Sequence, residues 1–215
     1  MLLPRLYAIL DAGCFSEVDA MFATAEDLRR AGVTLLQYRN KSGNARPMLD
    51  QVRELKQRIG SRVKLIMNDR ADLCLAADFD GLHLGQDDLS PESARRIIGP
   101  NRSLGISAHN PEQVAEADKT SADYIAIGPV FATSSKSNPD PVVGLDGLRK
   151  LRSLTQKPLV AIGGITRELA SKVFEAGADS VAVIGDLFPD VRARAEEWVA
   201  ISARVGVRDA AKSAE

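Results

Sequence analysis

Two cysteines, one tryptophan and two histidines among 215 residues leave little material for several kinds of chemistry. Cys14 and Cys74 are isolated and lack metal-ligand spacing; both read as reduced, and Cys74, inside an apolar helical stretch, as a core residue. His83 and His109 are too few and too far apart in sequence to suggest a metal cluster. Neither sign of charge dominates: 28 Lys+Arg against 29 Asp+Glu give a net charge of -1, so no global field draws the chain to nucleic acid or anionic lipid. No apolar run approaches membrane-spanning length, and the opening MLLPRLYAILDAG is interrupted by Arg5 and Asp11 with no small-residue cleavage site after it. The expectation is a cytoplasmic protein whose partners are small molecules, with no nucleic acid and no membrane. Also missing is a G-x-G-x-x-G after the first strand-like run, where Asp11-Ala12-Gly13 stands instead.

What is present is an unbroken alternation of strand and helix. With 45% hydrophobic residues the chain can bury a large core. Arg5 to Leu10 is strand-like, and Ser16 to Ala31 is an amphipathic helix stopped by Gly32. Val33 to Tyr38 and Pro47 to Ile59 repeat the pair, and Val63 to Met67 and Gly81 to Leu84 are further strands around a short apolar helical piece. Helices at Pro91 to Ile98 and Pro111 to Asp118 flank a strand at Leu104 to Ser107. A strand at Asp123 to Gly128 leads into the one long irregular stretch, Ala132 to Pro141, and a helix from Leu145 to Leu154. Strands at Pro158 to Ile162 and Ser180 to Ile184, a helix from Arg167 to Ala176 between them, and a last helix from Val191 to Val205 complete eight units. The strands are short, Val/Ile/Leu-rich and often apolar on both faces, as in a parallel sheet covered by helices. A unit of roughly 27 residues fits the small end of the (β/α)8 TIM barrel, and no linker divides the chain, so residues 1–215 are expected to form a single α/β barrel domain. A doubly wound open sheet permits the same alternation, but the missing glycine fingerprint counts against it.

A barrel predicts where chemistry sits: just after the C-terminal ends of the strands. Asp69 follows the third strand and Asp88 the fourth, so two carboxylates from neighbouring strands should overhang one rim, as a magnesium ion shared with a diphosphate requires. Taken singly, Asp69 reads better as a helix cap and Asp88 as a solvated turn residue; a phosphate-binding rim on the same face is what favours the metal. The second strand ends in Gln37-Tyr38-Arg39-Asn40-Lys41, which adds two cations beside them. Across the rim, Gly163-Gly164 and Gly185 let backbone approach a single phosphate after strands seven and eight. Lys136, on a loop rich in hydroxyls, could close over either anion. No Ser-His-Asp arrangement and no strand-end Schiff-base lysine stands out, so the residues suggest assisted departure of a diphosphate.

The blocks QYRNK (37 to 41), NDRADL (68 to 73), DGLHLGQDDL (80 to 89), GISAHN (105 to 110), DYIAIGPVFATSSK (123 to 136), AIGGI (161 to 165) and AGADSVAVIG (176 to 185) resemble the thiamine-phosphate synthase family, from the first strand to the last helix. NDR with GQDD at this separation is quite specific, whereas AIGGI occurs in many phosphate-binding barrels. The resemblance implies a magnesium-dependent transferase of thiamine biosynthesis that joins a hydroxymethylpyrimidine diphosphate to a thiazole phosphate and releases pyrophosphate by a dissociative displacement. By matching position it implies that Gln37, Arg39, Lys41, Asn68, Ser107 and Lys136 hold the pyrimidine diphosphate. Arg39, Lys41 and Lys136 would stabilise the departing anion, and Asp69 and Asp88 would hold the magnesium. Thr133, Ser135, Gly164, Ile184 and Gly185 would hold the thiazole phosphate.

Three positions depart from the family pattern. Asn40 replaces a usual Glu, which should make that corner more positive, and Thr133-Ser134-Ser135-Lys136 replaces T-x-T-K. Gly185 replaces a serine and is followed by Asp186, whose carboxylate would repel a phosphate unless turned away. Two other functions stay open at this point. One is a thiazole tautomerase of the same fold, for which His109 is the best acid–base candidate. The other is a non-catalytic thiamine-phosphate-binding protein.

Overall fold

The computed structural model describes residues 3–133 and 140–212, with side chains described to residue 204. Ser135 and Lys136 therefore lie outside the described residues. Eight parallel strands close into a barrel in chain order: β1 (Leu6–Asp11), β2 (Leu35–Arg39), β3 (Lys64–Asn68), β4 (Gly81–Leu84), β5 (Ser103–Ala108), β6 (Tyr124–Ile127), β7 (Leu159–Ile162) and β8 (Ser180–Val183), with β8 pairing back onto β1. The helices are α1 (Val18–Arg30), α2 (Ala45–Ile59), α3 (Ala71–Ala76), α4 (Pro91–Ile98), α5 (Pro111–Lys119), α6 (Gly144–Arg152), α7 (Ala170–Glu175) and α8 (Val191–Lys212). The barrel replaces the open-sheet alternative. Among the described residues, no helix is long and apolar enough to cross a membrane.

Local chemistry accounts for the boundaries. Pro91 and Pro111 open α4 and α5 behind Ser90 and Asn110, whose side chains accept from the Ser93 and Gln113 N–H groups. The seventh helix begins later than its periodicity suggests: 167–169 form hydrogen-bonded turns, and regular helix starts at Ala170. The last runs on to Lys212, beyond the expected Val205.

Period-two alternation divides each strand between two cores. On β1, Leu6, Ala8 and Leu10 pack outward against the helices, while Tyr7 and Ile9 join a smaller cluster inside the barrel with Leu35, Ile66, Tyr124, Ala126, Val160 and Ala182. The interior is layered large against small. A Cβ on Gly105 would lie 2.0 Å from the Tyr124 ring, so only glycine there admits that tyrosine. Towards the C-terminal end the inward series turns polar, giving Asp11, Gln37, Asn68 and His83, all buried, and half-buried Ser107. That switch makes the apolar interior the floor of a polar cavity.

Candidate active site

A cavity of about 990 Å3 opens over this floor, and every sequence-predicted site residue among the described ones lines it: Gln37, Arg39, Lys41, Asn68, Asp69, Asp88, Ser107, Thr133, Gly164, Ile184 and Gly185. At its base runs a hydrogen-bonded chain. Gln37 Nε2 donates to the Tyr7 hydroxyl (2.9 Å), which lies 3.1 Å from the Tyr124 hydroxyl. That hydroxyl lies 3.1 Å from His83 Nδ1, and His83 Nε2 lies 3.0 Å from Ser107 Oγ. With Gln37 donating at one end, one orientation satisfies every proton: Tyr7 donates to Tyr124, Tyr124 to His83 Nδ1, and His83 Nε2–H to Ser107. The Ser107 proton is then directed onward into the cavity. Burial pushes the His83 imidazole down to about 4 and both tyrosines above their ordinary range, so the chain is uncharged at neutral pH.

Above the floor, one wall carries the charge. Asp69 sits at the centre of a three-residue turn, in which Arg70 N–H donates to the Asn68 carbonyl (2.7 Å), with a positive φ of 62°. Such a conformation costs on the order of 1 kcal/mol or more in a non-glycine residue and concentrates at functional sites; Asp tolerates it better than most. The turn aims the Asp69 carboxylate at the Lys41 ammonium and sets it beside Asp88. Asp88 is largely exposed as a residue, but its carboxylate bends back to accept the Gly85 N–H (2.7 Å). Partial loss of solvent at that carboxyl, and then the neighbouring Asp69, raise it above the usual carboxylate range. No group of three or more His, Cys, Asp or Glu side chains suited to a metal occurs among the described residues. A carboxylate pair alone suits magnesium, which keeps several waters and takes its remaining ligands from phosphate. Asn68 Nδ2, buried between the floor and this wall, has no partner, as a donor reserved for a ligand would not.

Arg39 differs from expectation. Its guanidinium is paired with Asp11, whose carboxylate also accepts the Gly13 N–H at 3.0 Å, so the corner is less positive than two free cations would make it. Asn40 does not line the cavity. Its amide donates to the Tyr38 hydroxyl (2.9 Å) and its oxygen accepts from Ser42 N–H (2.9 Å), fastening the loop to α2 through Gln51. The Glu-to-Asn departure therefore acts outside the cavity.

The opposite wall is backbone. Gly163 and Gly164 have φ of 96° and 61°, and a Cβ on Gly164 would lie 2.3 Å from the Ala132 carbonyl oxygen. The turn packs against the segment after β6, with Val130 N–H donating to Ile162 O (2.8 Å) and Phe131 N–H to Gly163 O (3.0 Å). Beside it a 3-10 turn, Gly185–Leu187, presents first N–H groups that have no acceptor within the turn itself. Gly185 has nothing within 4 Å of a built Cβ, so a serine would fit there. Asp186 is turned away from this wall: its Oδ2 accepts from Arg167 N–H (3.2 Å), Arg167 Nε (3.0 Å) and Trp198 Nε1 (2.9 Å). We expect Gly164→Ala to raise the KM for a phosphate bound on this wall at least about tenfold, because backbone strain and a backbone clash must both be absorbed. Steady-state kinetics with each substrate varied in turn checks this.

Sequence reasoning missed Tyr7, His83 and Tyr124 in the floor, Asp11 behind Arg39, and Arg194, which reaches the cavity from α8. Strand periodicity could have found the first four, since each lies on the inward set with Gln37, Asn68 and Ser107. No sequence signal marks Arg194.

Fold and cavity together define a (β/α)8 barrel whose cavity lies at the C-terminal ends of the strands between two walls, one of ionised side chains and the other of glycine backbone. The family model described as thiamine monophosphate synthase matches residues 6–187. A thiamine-phosphate synthase of Koribacter versatilis is 60% identical over 202 residues, covering 93% of this chain and 96% of that one. One from Chloroflexus aurantiacus is 43% identical, covering 92% of each. The solved structure of a thiamine phosphate pyrophosphorylase from Pyrococcus furiosus superposes with a TM-score of 0.83 at 34% identity, covering 94% of this chain and 96% of that one. The chain belongs to the thiamine-phosphate synthase family.

Proposed function

We propose that this chain is a cytoplasmic transferase that joins a hydroxymethylpyrimidine diphosphate to a thiazole phosphate, forming thiamine phosphate and releasing pyrophosphate. The observation that carries the reading is the pairing, across one cavity, of the Asp69–Asp88–Lys41 wall with the glycine wall of 163–164 and 185. A diphosphate carries more charge than a monophosphate and belongs on the wall with the stronger ionic groups. Gln37 and Asn68 face the pyrimidine and its first phosphate, and Ser107, oriented by His83, supplies a hydroxyl donor. The glycine turns and Thr133 receive the thiazole phosphate.

Asp69 and Asp88 would hold a magnesium ion, which when bound offsets the charge of the leaving diphosphate. The chain's own contribution is positioning and charge. Lys41 neutralises Asp69, and Arg39 can turn its guanidinium from Asp11 towards the diphosphate. Lys136, assigned by resemblance, stabilises the departing anion. Removing one preorganised donor of this kind costs roughly 2.7–4 kcal/mol, so Lys136→Ala should lower kcat by about 100- to 1,000-fold. A single-turnover measurement would check that the loss lies in the chemical step.

A tautomerase would need a group to move a proton. Both His83 ring nitrogens are engaged, by Tyr124 and Ser107, burial raises Tyr7 and Tyr124 above their ordinary range, and His109 is engaged by the Gly128 carbonyl and lies 3.5 Å from Asp140. A tautomerase would also have no use for the carboxylate pair. The test is to incubate the protein with both substrates and magnesium and to measure pyrophosphate. Tight binding of both without release would instead identify a binding protein.

A further inference from the structure

The phosphate wall is assembled from two turns on different strands, and nothing in either glycine-rich sequence fixes their separation. The turn after β7 has positive φ at both glycines, and the turn after β8 begins at Gly185, where no neighbouring atom restrains a side chain. One side chain bridges them. Asp186 belongs to the second turn, and its Oδ2 accepts the backbone N–H of Arg167, the residue at which the first turn leaves for α7. The same oxygen accepts from Trp198 Nε1 on α8, a ring with 0% exposure that is anchored in the core. The Asp186 side chain is itself only 8% exposed.

Its charge is balanced locally. Arg167 Nε donates to Oδ2, and Arg194 Nη1 lies 3.6 Å from Oδ1 and 3.3 Å from the Asp186 carbonyl oxygen. Glu197 closes the set by pairing with the far side of Arg167. Two carboxylates face two guanidiniums, so the network adds no net negative charge beside an incoming phosphate. Arg194 and Asp186 both border the cavity, with the Asp186 carboxylate pointing away from it, so the node adjoins the wall it braces.

We propose that Asp186 is a positioning residue for the thiazole-phosphate subsite, its carboxylate tying the turn after β7, the turn after β8 and α8 into one rigid anion cradle. The inference rests on the reading that a phosphate binds on these turns. It assigns a function to Asp186, the residue that follows Gly185 in the turn after β8. Rigidity set in advance lowers the ordering cost of binding. Losing it should therefore appear in affinity for the ligand of that wall, without touching the diphosphate wall.

The test compares Asp186→Ala and Asp186→Asn with wild type in the magnesium-supplemented reaction, varying each substrate in turn. Asp186→Ala should raise the KM for the thiazole phosphate at least about tenfold, because three donors lose their acceptor together. The KM for the pyrimidine diphosphate and the kcat at saturation should stay within about twofold. Asp186→Asn keeps one acceptor oxygen and should recover part of the loss, which also carries the test if the alanine variant fails to fold. A folded variant with an unchanged KM for the thiazole phosphate, or one in which both KM values rise together, overturns the proposal. Gly164→Ala, run in parallel, separates two failures. If it too leaves that KM unchanged, the phosphate does not sit on these turns and the underlying reading falls as well. If only the Asp186 variants are silent, the positioning role alone is lost.

Discussion

Replacing Asp88 by Asn will lower turnover by more than about a hundredfold at limiting magnesium and leave the empty protein at least as heat-stable as wild type. The activity loss follows from the small number of protein ligands: even groups that only orient a metal's ligands are worth roughly 10- to 100-fold in affinity or activity, and a direct ligand should exceed that. The stability half follows from the carboxyl's raised pKa, caused first by loss of solvent and then by Asp69. A carboxyl whose folded pKa lies above its unfolded value contributes stability below the unfolded pKa and loses it as pH rises through the folded one. At neutral pH the ionised form is therefore a burden on the empty fold. Asn removes the charge and keeps an acceptor for the Gly85 N–H. Asp69→Asn is the matching substitution on the other strand, because Asn tolerates the positive φ of 62° where Ala would be strained. Pyrophosphate release against magnesium concentration, with melting curves of the empty proteins, decides both halves. Near wild-type turnover at limiting magnesium would remove these carboxylates from the metal site.

A trifluoromethyl group in place of the methyl on the pyrimidine ring is expected to slow the chemical step by at least about a thousandfold, equivalent to roughly 4 kcal/mol of barrier. The polar groups of the cavity floor are held in fixed protonation states: His83 is neutral with its imidazole near 4, and Tyr7 and Tyr124 are pushed upward by burial. The thiazole nitrogen needs no deprotonation to attack. In the proposed function, Lys41 and Arg39 stabilise a leaving anion, with Lys136 assigned to the same role by resemblance. Those properties favour departure of the diphosphate before capture, through a short-lived pyrimidinylmethyl cation that the amino-substituted ring helps to stabilise. An electron-withdrawing substituent opposes that charge directly. Single-turnover rates separate this effect from weaker binding, and a similar rate with the fluorinated substrate would favour concerted attack by the thiazole.

The fold was legible because each link in it is local. Alternating Val/Ile/Leu-rich runs and 3.6-period stripes mark the eight units, and Pro91, Pro111, Gly32 and Gly60 mark ends that follow from one or two residues' backbone chemistry. Gly81 to Leu84 and Pro91 to Ile98 were expected with the bounds they have. Boundaries slipped at the second strand, expected from Val33 and observed from Leu35, because the Val33 N–H is taken by the Leu28 carbonyl at the end of α1 (3.0 Å) before the ladder begins.

By itself the sequence determined that the polar strand endings share one rim. In a parallel barrel every strand ends on the same face, and a period of two then sends Gln37, Asn68 and Ser107 inward together. It could not determine which charges face one another, because a side chain's partner across the barrel is set by packing and register. That Arg39 answers Asp11 and Lys41 answers Asp69 is decided only in the tertiary structure. So is the fate of Asp186. One residue after Gly185, to which the phosphate is assigned by proposal, its carboxylate is repulsive if it points inward and cohesive if it points to Arg167 and Trp198. The choice depends on Arg167, earlier in the chain, and on α8, which arrives from farther along it; together they supply the donors that turn the carboxylate away.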